Sequence, residues 1–77
     1  MDMKEGILIW NENAGRPDIR YRDGTYYGGL HSGNTLEALI QGKWRPVRVE
    51  FNHFKDIWNL AGAAGYFDNI LWLTLRN

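Results

Sequence analysis

The residues best suited to chemistry in this chain are two histidines and the single serine. His31 and Ser32 are adjacent, and His53 stands alone further along the chain. Neighbouring residues on extended backbone point to opposite sides, so His31 is poorly placed to activate Ser32 as a nucleophile. No carboxylate lies at a spacing that would orient the histidine in a catalytic triad. We therefore interpret the pair as part of a glycine-rich turn and predict a protein that is not an enzyme.

Metal and cofactor chemistry finds little support in the remaining polar residues. Two histidines without cysteine fall short of a tetrahedral metal site unless acidic residues contribute. Gly28, Gly29 and Gly33 lie in the longest irregular stretch. Their spacing matches neither of the common phosphate-binding signatures, and no helix follows them. We predict no metal and no cofactor, and we attribute these glycines to a loop that needs positive φ.

Aromatic and arginine side chains are the strongest candidates for binding. Aromatic rings beside arginines can stack on single-stranded nucleic acid or a nucleotide, and the same residue types are enriched at protein interfaces. They can equally be core residues. The candidates are Trp44, Arg48, Arg45, Tyr27, Arg20 and Trp58. Trp44 is predicted to be the best exposed of them, because its expected neighbours lie on the outer face of a hairpin.

Composition limits the class of protein. The 77 residues are enough for a single domain spanning 1–77, and 44% hydrophobic with 14% aromatic residues can supply a dense core. The charges balance, which weakens a nucleic-acid interpretation because phosphate-tracking proteins usually carry a basic excess. Cysteine is absent, and neither a signal peptide nor a run of about 20 apolar residues is recognisable. These features predict a cytoplasmic protein without membrane contact.

Short apolar runs separated by glycines predict an all-β domain. The expected strands cover residues 7–10, 18–22, 35–41, 44–51, 57–61 and 70–76, with a polar turn at 52–56 and a tight or 3₁₀ turn at 62–69. Closing such a sheet hides its edges and its apolar face. The predicted fold is therefore a small SH3-like barrel of five to seven short antiparallel strands, with a 3₁₀ turn before the last strand.

Two turns predict strand registers. A two-residue turn at Asp23-Gly24 would place Tyr21 opposite Tyr26 and Arg20 opposite Tyr27, a possible cation–π pair.

A two-residue turn at Gly42-Lys43 would pair Glu37 with Arg48 and turn one face of the second hairpin inward. The inward residues would be Leu36, Ala38, Ile40, Val47 and Val49. The last strand is apolar on both faces, which indicates either cover on both sides or association, with a weak dimer as one form.

Two families are similar to parts of this chain. Residues 30–50, followed by 58–62 and 73–76, resemble an uncharacterised bacterial family of short stand-alone proteins; the likeness rests on the Gly42-Lys43-Trp44 turn and a later Trp58. Members are often carried on phages and conjugative elements. The Gly62-x-x-Gly65-Tyr66-Phe67 pattern is similar to the end of an SH3 domain, although Asp68 replaces its proline. That likeness implies a barrel and does not extend to proline-rich ligands.

These observations lead to one main functional expectation and one alternative. We expect a non-enzymatic binding protein of a mobile element that engages a macromolecule encoded by the host or by the element, with a protein as the main expectation. Inhibition of a host defence complex is one form of this interaction. The alternative is binding of single-stranded nucleic acid or a nucleotide on the arginine and aromatic face.

Overall fold

Alternating apolar and polar residues build one antiparallel sheet in this protein. A computed structural model describes residues 3–63 and 71–77. The strands are β1 (Glu5–Asn11), β2 (Arg16–Tyr21), β3 (Thr35–Ile40), β4 (Lys43–Asn52), β5 (Ile57–Ala61) and β6 (Thr74–Arg76). The all-β prediction is confirmed, and the described segments contain no helix. They accordingly offer no helical segment of the length and apolarity needed to cross a bilayer.

The order of the strands in the sheet is β2-β1-β6-β3-β4-β5. The short β6 lies between two hairpins, pairing with β1 through Gly6↔Leu75 and with β3 through Ala38↔Leu75. The three residues of β6 therefore join the hairpin of β1 and β2 to the other half of the sheet, which consists of β3, β4 and β5.

One face of the sheet carries the core. Leu8 of β1, Val49 of β4 and Leu75 of β6 are completely buried there. The other buried apolar side chains are Ile19, Tyr21, Leu30, Leu36, Ala38, Val47 and Leu60. Because side chains alternate along a strand, the neighbours of these residues face outward and form the outer face of the sheet.

A closed SH3-like barrel is not confirmed. Strands β2 and β5 end the sheet, and no ladder joins them in the described segments. Residues 25–34 form a loop between them: Leu30 N–H donates to Pro17 O of β2 at 2.8 Å, and Gly33 N–H donates to Val49 O of β4 at 2.7 Å. The two end strands therefore approach each other through a loop and side chains rather than through paired backbone.

The predicted register at Asp23-Gly24 is wrong. Arg20 lies opposite Tyr26 instead of Tyr27. The loop has three residues, because Tyr21 N–H donates to Thr25 O at 2.8 Å and Gly24 N–H donates to Tyr21 O at 3.0 Å. Gly24 has φ 88° and supplies the left-handed position of a turn with a bulge. The extra residue shifts the pairing by one, and no Arg20–Tyr27 cation–π contact forms among the described residues.

The second hairpin keeps its predicted faces with a different register. The turn is Gln41-Gly42, with φ 52° and 77°, and Ile40 pairs with Lys43. Both central residues are left-handed, as a type I′ turn requires. The shift amounts to two positions on the partner strand, which preserves the alternation of faces. The predicted inward set of Leu36, Ala38, Ile40, Val47 and Val49 accordingly stays inside, with Ile40 partly buried.

The C-terminal strand is shorter than predicted. Only Thr74–Arg76 is strand, because Trp72 has φ 75° and interrupts the extended backbone. Trp72 N–H donates to Leu8 O at 2.7 Å, and Leu8 N–H donates to Leu73 O at 2.8 Å. The predicted strand at 57–61 is confirmed, and the predicted polar turn is confirmed at 53–56, because Asn52 is still the last residue of β4 and pairs with Ile57. Most of the turn predicted at 62–69, and with it the SH3-like pattern, lies outside the described residues.

Candidate functional site

The glycine-rich loop is held in place by a buried carboxylate. Asp18 of β2 is fully buried. Its Oδ1 accepts hydrogen bonds from the backbone N–H groups of Ile19 at 2.8 Å, Gly28 at 3.0 Å and Gly29 at 2.8 Å, and its Oδ2 accepts one from Asn11 Nδ2 at 3.1 Å. Gly28 and Gly29 have φ 110° and 104°. The expectation of a loop that needs positive φ is thereby confirmed.

The bonds to Asp18 use the same N–H groups of the glycine-rich loop that a phosphate would need. Successive backbone N–H groups in a glycine-rich loop form a concave site for an anion. Here the anion is the side chain of Asp18, which takes the N–H groups of Gly28 and Gly29. The loop therefore binds a carboxylate of its own chain at the place where a phosphate would otherwise sit.

A cleft lies where the end strands β2 and β5 approach each other. It is open to solvent, with a volume of about 730 Å³. Its walls come from the end of β1, the start of β2, the glycine loop, the end of β4 and β5. The lining residues are Trp10, Gly15, Arg16, His31, Ser32, Phe51, His53, Asp56 and Trp58. We call this site the seam cleft.

Aromatic rings and one arginine organise the seam cleft. The rings of Phe51 and Trp58 have centroids 4.8 Å apart, and His53 meets Phe51 edge-on at 4.9 Å. The guanidinium carbon of Arg16 lies 5.7 Å from the centroid of the Trp58 ring. Its Nη1 donates to the carbonyl oxygen of Leu30 at 3.4 Å. Arg16, which belongs to β2, thus contacts both β5 and the glycine-rich loop.

The histidines and the serine lie at the rim of the seam cleft. His31 and Ser32 are exposed, and the backbone around them closes through His31 N–H donating to Asn34 Oδ1 at 2.7 Å. The side chains of His31 and Ser32 share no hydrogen bond in the described structure. Within the same residues, no group of three or more histidine and acidic side chains is arranged to hold a metal ion.

A second surface lies on the outside of the sheet. Ile7 and Ile9 of β1 face outward and are half-buried. A groove along β1 is lined by Ile9 and Tyr26, and the next one by Ile7 and Arg20. The N–H of Trp72 bonds Leu8 O, which joins the backbone of Trp72 to β1, and 68% of the surface of Trp72 is exposed. Tyr26 pairs with Arg20 of β2 and is 55% exposed. We call Ile7, Ile9, Arg20, Tyr26 and Trp72 the outer patch.

Trp44 is less exposed than predicted. The guanidinium carbon of Arg76 lies 4.1 Å from the centroid of its ring, and Arg76 Nε donates to Glu37 Oε1 at 3.0 Å. Glu37 therefore pairs with Arg76 instead of Arg48. Trp44 is a half-buried member of a stack that ties β4 to β6 and β3. The more exposed tryptophans are Trp72 and Trp10.

The remaining predicted residues fall on different surfaces. Arg48 bonds Glu50 at 2.8 Å on the exterior of β4, and Arg45 is exposed on the opposite face of the same strand. Arg20 belongs to the outer patch, and the exposed Tyr27 lies beside it with its N–H bonded to Ile19 O at 2.9 Å. Trp58 lies on the floor of the seam cleft. The predicted set is thus divided among several places in the fold.

Several residues of these sites were missed by reasoning from the sequence. Asp18 and Arg16 flank Pro17 and read as ordinary polar residues of a strand. Trp10 falls in the predicted strand 7–10, although it is 42% exposed near the end of β1. Trp72 falls in the predicted strand 70–76, although its φ of 75° interrupts the extended backbone. No local pattern marks Asp18 as buried, because β2 also carries Arg16 and Arg20 and an acid among them is typical of an exposed strand.

The comparisons with known proteins now bear on this geometry. The model of the family described as a domain of unknown function, DUF5348, matches residues 6–75. The chain belongs to the DUF5348 family. Among solved structures, the crystal structure of a protein from Ruminococcus gnavus is similar, with a TM-score of 0.81 and 34% identity over 96% of this chain and 100% of that chain. No curated protein matches.

The DUF5348 assignment agrees with the likeness drawn from residues 30–50, 58–62 and 73–76 to a family without an assigned activity. The matched range runs from Gly6 in β1 to Leu75 in β6, and so includes all six strands. The family and the similar structure support the fold.

Proposed function

We propose that this DUF5348 protein is a non-enzymatic binding protein that engages a protein partner through the outer patch. The observation that carries the proposal is Trp72, an indole 68% exposed on a residue with φ 75°. A left-handed conformation at a residue other than glycine costs about 1–3 kcal/mol and tends to persist at functional sites. The conformation is fixed by the hydrogen bond from Trp72 N–H to Leu8 O.

The composition of the outer patch supports a protein partner. Tryptophan, tyrosine and arginine dominate the binding energy of protein interfaces, and the patch contains one of each around two isoleucines. Arg20 forms none of the ion pairs between described residues, which are Arg22–Glu5, Arg48–Glu50 and Arg76–Glu37. An acidic or aromatic group on a partner would therefore meet an uncommitted guanidinium.

The partner class follows from the likeness to proteins of mobile elements. We propose a cytoplasmic protein of the host or of the element as the partner, with inhibition of a host defence complex as one form of the interaction.

The test is an affinity capture with matched variants. Tagged wild-type protein, Trp72→Ala and Phe54→Ala are incubated with lysate of the bacterium that encodes the chain. Phe54 is the control because it is fully exposed in the turn before β5, away from the outer patch. Each recovered protein is then purified, and its dissociation constant is measured by isothermal titration calorimetry.

We expect a partner that binds wild type and Phe54→Ala equally and binds Trp72→Ala at least tenfold more weakly, corresponding to about 1.4 kcal/mol. Arg20→Ala should weaken the same complex. Equal recovery with all variants, or loss of binding with Phe54→Ala alone, would contradict the proposal.

A further inference from the structure

The seam cleft has the features of a site for a small ligand, in contrast to a surface that binds a protein partner. Its volume of about 730 Å³ lies within the range of roughly 300–1,000 Å³ typical of small-ligand sites. Its lining combines the aromatic rings of Trp10, Phe51 and Trp58 with polar side chains that include Arg16. It is also open to solvent, so that a chain of linked units can pass through it.

The flat surfaces in the seam cleft fit a planar ring. Phe51 and Trp58 are packed against each other and half-buried, which limits the motion of their rings, and Trp10 adds an exposed indole to the lining. Stacking of a base on a fixed aromatic ring needs no side-chain ordering at the moment of binding. Such stacking is tolerant of base identity, because every base has a π face.

The charge in the seam cleft fits an anion beside that ring. Arg16 is anchored by Trp58 and by the carbonyl of Leu30, and this carbonyl engages one of five guanidinium N–H groups. The other guanidinium N–H groups can donate two parallel hydrogen bonds to a phosphate. His31 and His53 add two imidazoles at the rim, and Asp56 is the acid among the lining residues.

We propose that the seam cleft binds a nucleotide unit, with the base on the aromatic rings and the phosphate on Arg16. A free nucleotide and single-stranded nucleic acid share this chemistry. Arg16 is the one arginine or lysine among the residues that line the cleft, so we expect contact with one or two phosphates. This site is independent of the outer patch.

The test uses fluorescein-labelled hexathymidylate, a matched abasic strand of the same length and thymidine monophosphate. Binding of the strands is followed by fluorescence anisotropy, and binding of the mononucleotide by quenching of tryptophan emission. We expect hexathymidylate to bind at least tenfold more tightly than the abasic strand. If thymidine monophosphate binds about as tightly as hexathymidylate, the ligand of the seam cleft is a free nucleotide. If thymidine monophosphate binds much more weakly, the ligand is single-stranded nucleic acid.

Salt dependence tests the phosphate contact. For single strands the slope of log K against log salt is about −0.7 per phosphate contacted. One contact therefore predicts about a 2.5-fold loss of affinity between 50 and 200 mM salt, and two contacts about a sevenfold loss. A slope near zero, or one that requires many contacts, would overturn the assignment to Arg16.

Matched variants locate the site. Arg16→Gln and Trp10→Leu should each weaken hexathymidylate binding about tenfold, whereas Arg45→Gln and Trp72→Leu should leave it within twofold. If Arg16→Gln lowers thermal stability, His53→Ala serves as the second variant, because His53 is exposed. The proposal is overturned if no ligand binds at 50 mM salt and millimolar concentration, or if the control variants lose as much affinity as the cleft variants.

Discussion

Replacing Asp18 should destabilise the protein more than any other substitution of a polar residue described above. In Asp18→Ala the N–H groups of Ile19, Gly28 and Gly29 lose their acceptor. Ile19 and Gly29 are buried, so water cannot replace the carboxylate at those two donors without opening the loop. Gly28 is exposed and can be hydrated.

Each buried donor left unpaired costs about 1–3 kcal/mol, which gives a loss of about 2–6 kcal/mol for the two donors. A domain of this length has a free energy of unfolding of roughly 4–12 kcal/mol at 0.05–0.15 kcal/mol per residue. The alanine variant should therefore lose a large part of its free energy of unfolding, and the upper end of this loss is enough to unfold a domain of ordinary stability.

Asp18→Asn should be milder and informative about geometry. In this variant one side-chain oxygen still accepts from the three backbone donors. The new amide nitrogen takes the place of Oδ2, which now accepts from Asn11 Nδ2 at 3.1 Å, so that two donors face each other. Asn11 can rotate its amide only by withdrawing Oδ1 from the N–H of Ala14, also at 3.1 Å. One hydrogen bond is lost in either case, so we expect a cost of about 1–2 kcal/mol.

The assay is urea unfolding followed by tryptophan fluorescence, combined with amide hydrogen exchange at Gly28 and Gly29. Glu12→Ala is the control, because Glu12 is an exposed acid in the turn after β1 whose side chain bonds none of the described residues. A free energy of unfolding for Asp18→Ala within about 1 kcal/mol of wild type, or unchanged exchange at the two glycines, would refute the reasoning.

Three further outcomes are expected. Gly6→Ala should cost about 1–3 kcal/mol in urea unfolding, since a Cβ there would lie 2.6 Å from the carbonyl oxygen of Arg20; an unchanged midpoint would contradict this close approach. Burial raises the pKa of Tyr21 despite the opposing hydrogen bond to Asn77. Because the folded-state pKa is the higher one, the associated stability is present below about pH 10 and falls as pH rises through it, whereas Tyr21→Phe should lack this decline. Gln41→Asn should raise the thermal midpoint by an amount equivalent to about 0.5–1 kcal/mol, because asparagine adopts the left-handed conformation of a type I′ turn more readily; a lower midpoint would contradict it.

Local patterns in the sequence predicted the strands and the faces of the second hairpin. Alternation alone places Leu36, Ala38 and Val47 on one side of the sheet. It cannot separate two registers that differ by two residues, because both keep the same faces inside. The choice depended on Gln41, which accepts a left-handed conformation so that the turn falls at Gln41-Gly42.

The first turn and the two binding surfaces depend on contacts that local patterns do not contain. Asp23 accepts hydrogen bonds from the backbone and hydroxyl of Thr25, at 3.0 and 2.6 Å, and this favours a three-residue loop over a two-residue one. The seam cleft forms only when β2 and β5, distant in sequence, meet through Arg16 and Trp58. Neither feature has a signature at a fixed spacing.

The tryptophans allow a single measurement of the central claim, which is that Trp72 and the outer patch contact the protein partner while Trp44 serves the fold. Chain labelled with 5-fluorotryptophan gives one ¹⁹F resonance for each of Trp10, Trp44, Trp58 and Trp72. On titration with the partner recovered by affinity capture, the Trp72 resonance should shift and that of Trp44 should stay in place. A shift of the Trp44 resonance with no change at Trp72 would contradict the account.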